Sequence, residues 1–235
     1  CLVGSEMCIR DRDLDAQGNA STGLGVPKDE REKSTYDLLT GKASLKDVVK
    51  KTNIPSLFIA PASTDLSSID VDLFEEQGRV VKLRDLLANE SFDFAYILID
   101  CPPSLSLLTV MALVCSGSLL VPLQTEFFAL EGLTQLMKTI ERIKVSLNPE
   151  LKIRGILLTM YDKRNKLSSQ VEKEARDYFS EKVYSTVIPR NVRLSEAPSH
   201  GMPVLIYDKS CPGSKSYFSF TDEFINQEST IGSAA

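Results

Sequence analysis

The chain has 235 residues, of which 43% are hydrophobic and 25% are charged, and its net charge is −5. These values exclude a disordered chain, a disulfide-rich miniprotein and a collagen-like or low-complexity protein. The five cysteines are scattered and form no C-x-x-C motif, which favours a reduced, cytoplasmic protein over a secreted or zinc-bound one. No apolar run is long enough to cross a bilayer.

The first twelve residues, CLVGSEMCIRDR, show neither helical nor strand periodicity. They look like the translation of a sequencing adapter, so we expect residues 1–12 to be non-native and predict no helix or strand for them. A genuine but divergent start is the alternative. The rest of the chain is expected to form one domain over residues 13–228, followed by a polar tail at 229–235.

Strands and helices alternate after residue 12, because short apolar runs are separated by segments with helical periodicity. The predicted strands are 57–60, 94–100, 118–122, 153–160 and 183–188, and the predicted helices are 80–88, 104–113, 130–147, 167–179 and 218–225. The strands at 94–100 and 118–122 are expected to be buried, and Ser104 is expected to cap a helix. This alternation predicts an α/β fold in three layers, with a mostly parallel sheet and helices on both faces.

Two acidic residues, Asp15 and Asp100, lie at predicted strand ends, on the sheet edge where α/β proteins bind their ligands. The segment Ile99–Ser104 has the form of a Walker B strand, whose aspartate holds Mg²⁺ through water. The alternative is that Asp100 caps the next helix.

The net charge hides a basic stretch at residues 152–193, which carries ten Lys and Arg against five Asp and Glu. An acidic chain can still present one basic face to phosphates. An ordinary solvated helix with scattered lysines is the alternative explanation.

Five motifs occur in a fixed order along the chain. They are DLDAQGNASTGLG (13–25), IDCPPS (99–104), PLQTEFFALEGL (122–133), ILLTMYDKR (156–164) and VIPRNVRLSEAPSHG (187–201). Together they resemble the ParA/Soj partitioning ATPases, in the deviant-Walker-A branch of P-loop NTPases that includes MinD. The resemblance covers the chain from Asp13 to about Ile225.

The resemblance implies an ATP- and Mg²⁺-dependent active site. Asp15 takes the role of the carboxylate that positions the attacking water, and Gln17 and Asn19 lie in the same switch segment. Asp100 would hold Mg²⁺ through water. Ala16 replaces the family's usual proline, which loosens this turn.

Further nucleotide contacts are implied for Met160, Pro189, Arg190 and Asn191, which match positions around the adenine. Plain core packing remains an alternative for Met160, since methionine often fills gaps in cores.

Arg164 and Arg193 match the arginines that the family uses to bind DNA without sequence preference. A solvated surface position is the alternative for each. The resemblance also implies a homodimer in the ATP-bound state, regulation by a ParB-type centromere-binding partner, and a cytoplasmic, nucleoid-associated protein without a membrane anchor.

The family begins with K-G-G-V-G-K-T-T, a loop that binds phosphate, and no segment of the 235 residues matches it. We therefore expect an N-terminally truncated chain that lacks the first strand, the P-loop and the first helix. Such a chain would have hydrophobic sheet edges exposed and would not hydrolyse ATP.

The remaining candidates are expected to have structural roles. His200 shapes a loop, Phe127 and Phe128 belong to the core, and Cys101 is a small buried residue rather than a nucleophile.

Three other functions compete with a partitioning ATPase. A MinD-like membrane-cycling ATPase would end in a basic amphipathic helix, whereas residues 221–228 are acidic. An iron–sulfur scaffold would need a suitably placed cysteine pair. A non-catalytic DNA- or partner-binding remnant would explain the missing loop, although Asp15 and Asp100 argue for catalysis.

Overall fold

The computed structural model describes residues 9–88 and 94–232, and the side chains of those residues up to 227. The described residues form two compact units. The N-terminal unit contains residues 9–88, 94–116 and 197–203, and the C-terminal unit contains residues 117–196 and 204–232. Each unit is built around its own sheet.

The N-terminal unit contains a four-stranded sheet in the order β2-β3-β1-β4. Strand β1 runs parallel to both β3 and β4, and only the short β2 is antiparallel. The strands are β1 (Ile9–Asp13), β2 (Lys50–Lys51), β3 (Leu57–Ala60) and β4 (Tyr96–Asp100), and the helices are α1 (Asn19–Gly23), α2 (Thr35–Leu39), α3 (Leu45–Val48), α4 (Ile69–Asp72), α5 (Lys82–Ala88) and α6 (Leu107–Cys115).

The C-terminal unit contains a parallel three-stranded sheet in the order β5-β6-β7. Its strands are β5 (Ser118–Gln124), β6 (Lys152–Tyr161) and β7 (Val183–Pro189), and its helices are α7 (Ala129–Ser146), α8 (Lys166–Phe179), α9 (Val192–Glu196), α10 (Val204–Tyr207) and α11 (Pro212–Gly232). Ile156 and Leu158 of β6 belong to a core with residues of α7 and α8, while Leu157 packs with residues of α11. Helices therefore cover both faces of this sheet, and the predicted α/β class is confirmed.

Residues 9–12, for which the sequence predicts no element, form part of a strand. Ile9–Asp13 forms a central strand whose backbone pairs with β3 on one side and β4 on the other. Backbone N–H and C=O groups form a ladder whatever the side chains are, so a strand can form without apolar periodicity. Residues 1–8 lie outside the described residues.

The predicted burial of two strands is also wrong. Strand β4 is an edge strand of its sheet, and its Ile97 and Leu98 are 39% and 52% exposed. Strand β5 is an edge strand of the other sheet, and within it only Val121 and Leu123 are buried. A strand with one unpaired edge in its unit keeps part of its apolar surface in contact with solvent.

Most predicted helices are confirmed within a few residues, with differences at their ends. Helix α6 has Ser106 as its N-cap, two residues after the predicted Ser104. Helix α11 is much longer than predicted and continues through Gly232, into the segment expected to be a polar tail. Residues 233–235 lie outside the described part of the chain.

Candidate active site

The carboxyl ends of β1 and β4 place two aspartates side by side. Asp13 and Asp100 are register partners in this parallel pair, and the Leu14 amide donates to the Asp100 carbonyl oxygen at 2.9 Å. The carboxyl edge of this sheet therefore gathers the acidic residues that the sequence placed at strand ends.

The Asp13 carboxylate has a structural role that sequence reasoning missed. It is fully buried, and its Oδ2 accepts hydrogen bonds from the Ser21 amide at 2.8 Å and the Ser21 hydroxyl at 2.7 Å. Its Oδ1 accepts from the Asp15 amide at 3.1 Å. The signal available in the sequence was the first aspartate of D-L-D, which fixes the chain between β1 and α1.

The three switch residues implied by the resemblance follow directly. Asp15 is half-buried, and its Oδ1 accepts from the Gln17 amide at 3.0 Å, which closes a tight turn. The side chains of Gln17 and Asn19 are exposed. Gly18 adopts a φ of +65°, a left-handed conformation that favours glycine at the start of α1.

The ionisation of the Asp100 carboxyl group is hindered at this edge. Its side chain reaches solvent, but partial burial together with the charges of Asp13 and Asp15 raises its pKa to about 6. Crowded carboxylates of this kind repel one another, and a bound divalent cation relieves that repulsion. Asp100 therefore fits a Mg²⁺ ion held through water, while the described residues contain no cluster of three or more His, Cys, Asp or Glu side chains that could hold a metal ion directly.

Met160, Pro189 and Arg190 lie at the carboxyl end of the sheet in the C-terminal unit. Met160 has a left-handed φ of +54°, and it lines a cavity of about 520 Å³ together with Arg190. Pro189 and Arg190 also line a neighbouring cavity of about 480 Å³. Met160 is only partly buried, which disfavours the alternative of plain core packing.

The Asn191 side chain binds the backbone two residues further on, where its Oδ1 accepts a hydrogen bond from the Arg193 amide at 3.0 Å. The Arg190 amide donates to the Tyr161 carbonyl oxygen at 2.9 Å. Nη2 of the Arg190 guanidinium lies 3.3 Å from Oε1 of Glu126. These contacts hold the segment that follows β7 against the end of β6.

The two arginines implied in DNA binding are exposed and already paired with acids. The Arg164 side chain is 90% exposed and makes two hydrogen bonds of 3.1 Å to the carboxylate of Asp162. Arg193 is about half exposed and pairs with Glu196 at 2.8 Å and Asp208 at 3.5 Å. Both arginines are reachable by a large anionic partner.

The predicted site residues divide between the two units. Asp15, Gln17, Asn19 and Asp100 belong to the N-terminal unit, and Asp15 lies close enough to Asp100 to influence its pKa. Met160, Arg164, Pro189, Arg190, Asn191 and Arg193 belong to the C-terminal unit.

The expectation that Phe127 and Phe128 belong to the core is wrong. They are 72% and 73% exposed and stack edge to face with ring centroids 5.0 Å apart. They follow the end of β5, where the chain turns before α7 packs. The expectation for Cys101 agrees with the structure, since burial raises the pKa of its thiol to about 12 and leaves it a poor nucleophile.

A protein-family model described as an AAA domain matches residues 5–153. The chain is 52% identical over 218 residues to the chromosome partitioning protein ParA of Caulobacter vibrioides, covering 92% of this chain and 82% of that relative. The chain belongs to the ParA/Soj family of partitioning ATPases. Its relatives in this family include the chromosome-partitioning ATPase Soj of Treponema pallidum, at 47% identity over 92% of this chain and 84% of that protein.

Solved structures share the fold of this chain. Cobyrinic acid a,c-diamide synthase from Mycobacterium smegmatis, determined with bound ADP and magnesium, has a TM-score of 0.77 and 30% identity over 92% of this chain and 80% of its own. The cell division ATPase MinD of Pyrococcus furiosus shares the fold, with a TM-score of 0.75 and 23% identity over 93% of this chain and 86% of its own. Within the described part of this ParA/Soj-family chain, no helix has the length and apolarity needed to cross a membrane.

Proposed function

We propose that this ParA/Soj-family chain supplies the switch, magnesium and DNA-binding residues of an ATPase that partitions DNA. In this proposal ATP drives formation of a homodimer that binds DNA without sequence preference, and a ParB-type partner regulates the cycle in the cytoplasm at the nucleoid. The observation that carries the proposal is the meeting of Asp13, Asp15 and Asp100 at one sheet edge.

Asp100 is the proposed magnesium-binding residue, acting through water. The ion, when bound, would neutralise charge that develops on the transferred phosphoryl group. Asp100 itself contributes an oxygen donor whose negative charge is disfavoured by burial and by Asp13 and Asp15, so cation binding favours its ionised form.

Asp15 is the proposed residue that orients the attacking water. One of its carboxylate oxygens is held by the Gln17 amide, which fixes the orientation of the carboxyl group. The other oxygen has no hydrogen-bond donor among the described residues, so it can accept a hydrogen bond from a water molecule. Alignment of that water with the leaving oxygen is the main requirement of phosphoryl transfer.

The base of the nucleotide is proposed to contact Met160, Pro189, Arg190 and Asn191. The cavity beside Met160 has a volume within the usual range for small-ligand sites. Arg190 brings a cation to its lining, and Met160 brings a polarisable apolar surface suited to a flat ring.

Arg164 and Arg193 are proposed to contact DNA phosphates. Exposed ion pairs with carboxylates are weak because solvent screens them, so a phosphate backbone can compete for both guanidinium groups.

We also propose that these 235 residues alone do not turn over ATP. They contain no K-G-G-V-G-K-T-T segment, whose backbone amides and lysine would hold the phosphates of ATP.

DNA binding by a longer polypeptide, in which residues 13–235 follow a segment carrying K-G-G-V-G-K-T-T, tests the proposal. We expect a salt-dependent shift of duplex DNA that requires ATP and is lost on Arg164→Glu. Arg142→Glu is the matched control, since it makes the same charge change on an exposed residue of α7 outside the basic stretch. Equal binding by the Arg164 variant and the control would refute the DNA assignment.

A further inference from the structure

Arg31 is a buried arginine that neither the motifs nor the resemblance singled out. Its side chain is 8% exposed, and its guanidinium occupies space beside Gly18. A Cβ atom at Gly18 would clash with Nη1 of Arg31, so the turn after Asp15 and the arginine fit together only with glycine at this position.

The guanidinium of Arg31 binds oxygen atoms from three places in the N-terminal unit. Nε and Nη2 donate to the Val26 carbonyl oxygen at 3.1 and 2.7 Å, and Nη2 also donates to the Thr22 hydroxyl at 2.8 Å. Nη1 donates to the Ala62 carbonyl oxygen at 3.4 Å. Thr22 lies in α1, while Ala62 follows β3, so Arg31 joins the end of the switch segment to the sheet.

A second set of hydrogen bonds also involves Ala62, which follows β3. The Ala62 amide donates to the Ser21 hydroxyl at 3.0 Å, and that hydroxyl donates to Asp13 at 2.7 Å. Ala62 is thus a donor towards Ser21 and an acceptor from Arg31. The segment that carries Asp15 is attached at its start through Asp13 and at its end through Arg31.

Burial also changes the pKa of Arg31. Loss of hydration lowers the pKa of Arg31, and the carboxylate of Asp13 opposes that effect. Arginine nevertheless stays charged at neutral pH, so Arg31 can keep all of its hydrogen bonds.

We propose that Arg31 is a positioning residue that holds the Asp15–Asn19 switch segment in the geometry required for catalysis. It acts through the Thr22 hydroxyl, which donates to the Gly18 carbonyl oxygen at 3.0 Å, and through the carbonyl groups of Val26 and Ala62, and it does not touch the reacting atoms. The inference rests on the proposed role of Asp15, because only a carboxylate that must be aligned benefits from a rigid segment around it.

Hydrogen–deuterium exchange on the 235-residue chain tests the structural half of this proposal without ATP turnover. We expect Arg31→Met to accelerate exchange of amides in residues 16–24 by about tenfold, because buried hydrogen bonds to Thr22 and Val26 are lost. Arg31→Lys should give a smaller acceleration because its ammonium keeps a charged donor, but not full protection because one nitrogen cannot replace the two that bind Val26. Unchanged exchange in Arg31→Met would overturn the proposal.

Arg176→Met is the matched control. Arg176 also donates to two backbone carbonyl oxygens, those of Tyr184 and Ser185, but in the C-terminal unit. This variant should leave exchange in residues 16–24 unchanged. Equal acceleration by both variants would show a general loss of stability and would contradict a specific role for Arg31.

Steady-state kinetics of the longer, K-G-G-V-G-K-T-T-bearing polypeptide tests the functional half. We expect Arg31→Met to lower kcat by about tenfold or more with little change in KM for ATP, and Arg31→Lys to restore part of kcat. A change in KM alone would contradict positioning. Full activity of Asp15→Ala would instead refute the proposed function, so the two failures are distinguishable.

Discussion

Strands β1 and β6 occupy equivalent places in their sheets, since each lies between two parallel neighbours, yet their sequences are opposite in character. Strand β6 buries Gly155, Ile156, Leu157 and Leu158 in succession. Strand β1, with the sequence IRDRD, buries Arg10, Arg12 and Asp13 at 0% exposure.

The comparison shows that backbone pairing determines where a strand forms, while its side chains determine how much the buried strand adds to or subtracts from the free energy of unfolding. A strand enclosed by parallel neighbours is ordinarily a continuous apolar run, as in β6. In β1, burial, with smaller contributions from Asp100 and Asp13, raises the pKa of Asp11 to about 7, and the Arg10 guanidinium lies 4.7 Å from the ring centroid of Phe94. Strand β1 therefore buries charge where β6 buries hydrocarbon, at a cost in desolvation.

The largest expected effect comes from giving β6 the character of β1. Ile156→Asp would place a carboxylate among Leu158 and Val121 without a donor, and we expect it to lower the free energy of unfolding by about 5 kcal/mol or to prevent folding. Lys152→Asp, on an exposed residue of the same strand, is the control and should change stability by less than about 0.5 kcal/mol. Chemical denaturation followed by circular dichroism measures both.

The reverse exchange is the second prediction. Replacing Arg10, Asp11 and Arg12 together by Ile, Val and Ile should raise the free energy of unfolding by about 2–3 kcal/mol, because buried charges give way to apolar groups. The lost contact between Arg10 and Phe94 offsets about 1 kcal/mol of the gain. A lower denaturation midpoint for the triple variant would contradict the account of β1.

A partly buried carboxylate that accepts hydrogen bonds from two backbone amides should behave in the opposite way to Asp11. Glu223 of α11 accepts from the amides of Ser185 at 2.7 Å and Thr186 at 2.9 Å. Burial acts to raise the pKa of Glu223, but these hydrogen bonds outweigh it and lower the pKa. Glu223→Gln should therefore cost about 1–2 kcal/mol at pH 7.

The pH dependence of the Glu223 contribution follows from the sign of its shift. A lowered pKa in the folded state gives stability above the unfolded-state pKa, and that stability is lost as the pH falls through the folded-state value. Unfolding curves of wild type and Glu223→Gln should converge in acid. A difference that persists unchanged at low pH would contradict this account.

The smallest expected effect concerns Asp100, at the end of β4 beside β1. Its pKa is raised to about 6, so its ionised form destabilises the fold increasingly as the pH rises from about 4 through 6. Asp100→Asn should raise the free energy of unfolding at pH 8 by about 1 kcal/mol, a modest value because solvent reaches the carboxyl group. At pH 4 the gain should vanish.

Addition of Mg²⁺ separates a metal-binding role for Asp100 from simple repulsion. The wild-type chain should gain stability at pH 8 with millimolar Mg²⁺, and Asp100→Asn should gain none. An equal gain in both proteins would place the ion elsewhere.

Much of the fold was predictable because its signals are local. The periodicity of α7 and the apolar run of β6 depend on neighbouring residues alone, and both predictions are confirmed. The strand β1 was not predictable, because its formation depends on the unfilled hydrogen-bonding edges of β3 and β4 rather than on its own residues. The exposure of Ile97, Phe127 and Phe128 likewise depends on which strands and helices pack against these residues, and not on the residues themselves.

The candidate site likewise contains residues that the sequence predicts and residues that it does not. Asp15 and Asp100 carry a motif signal, and their proximity follows from adjacent strand ends. Ser21 and Arg31 carry no such signal, because their importance depends on meeting Ala62, which is distant in sequence. Their roles required the structure.

The most direct test of the central claim is Mg²⁺-dependent ATP hydrolysis by residues 13–235 preceded by a segment that carries K-G-G-V-G-K-T-T. We predict turnover by this longer protein, loss of turnover on Asp15→Ala, and no turnover by the 235 residues alone. Hydrolysis by the 235 residues alone at the same rate, or an Asp15→Ala variant with undiminished kcat, would contradict the account.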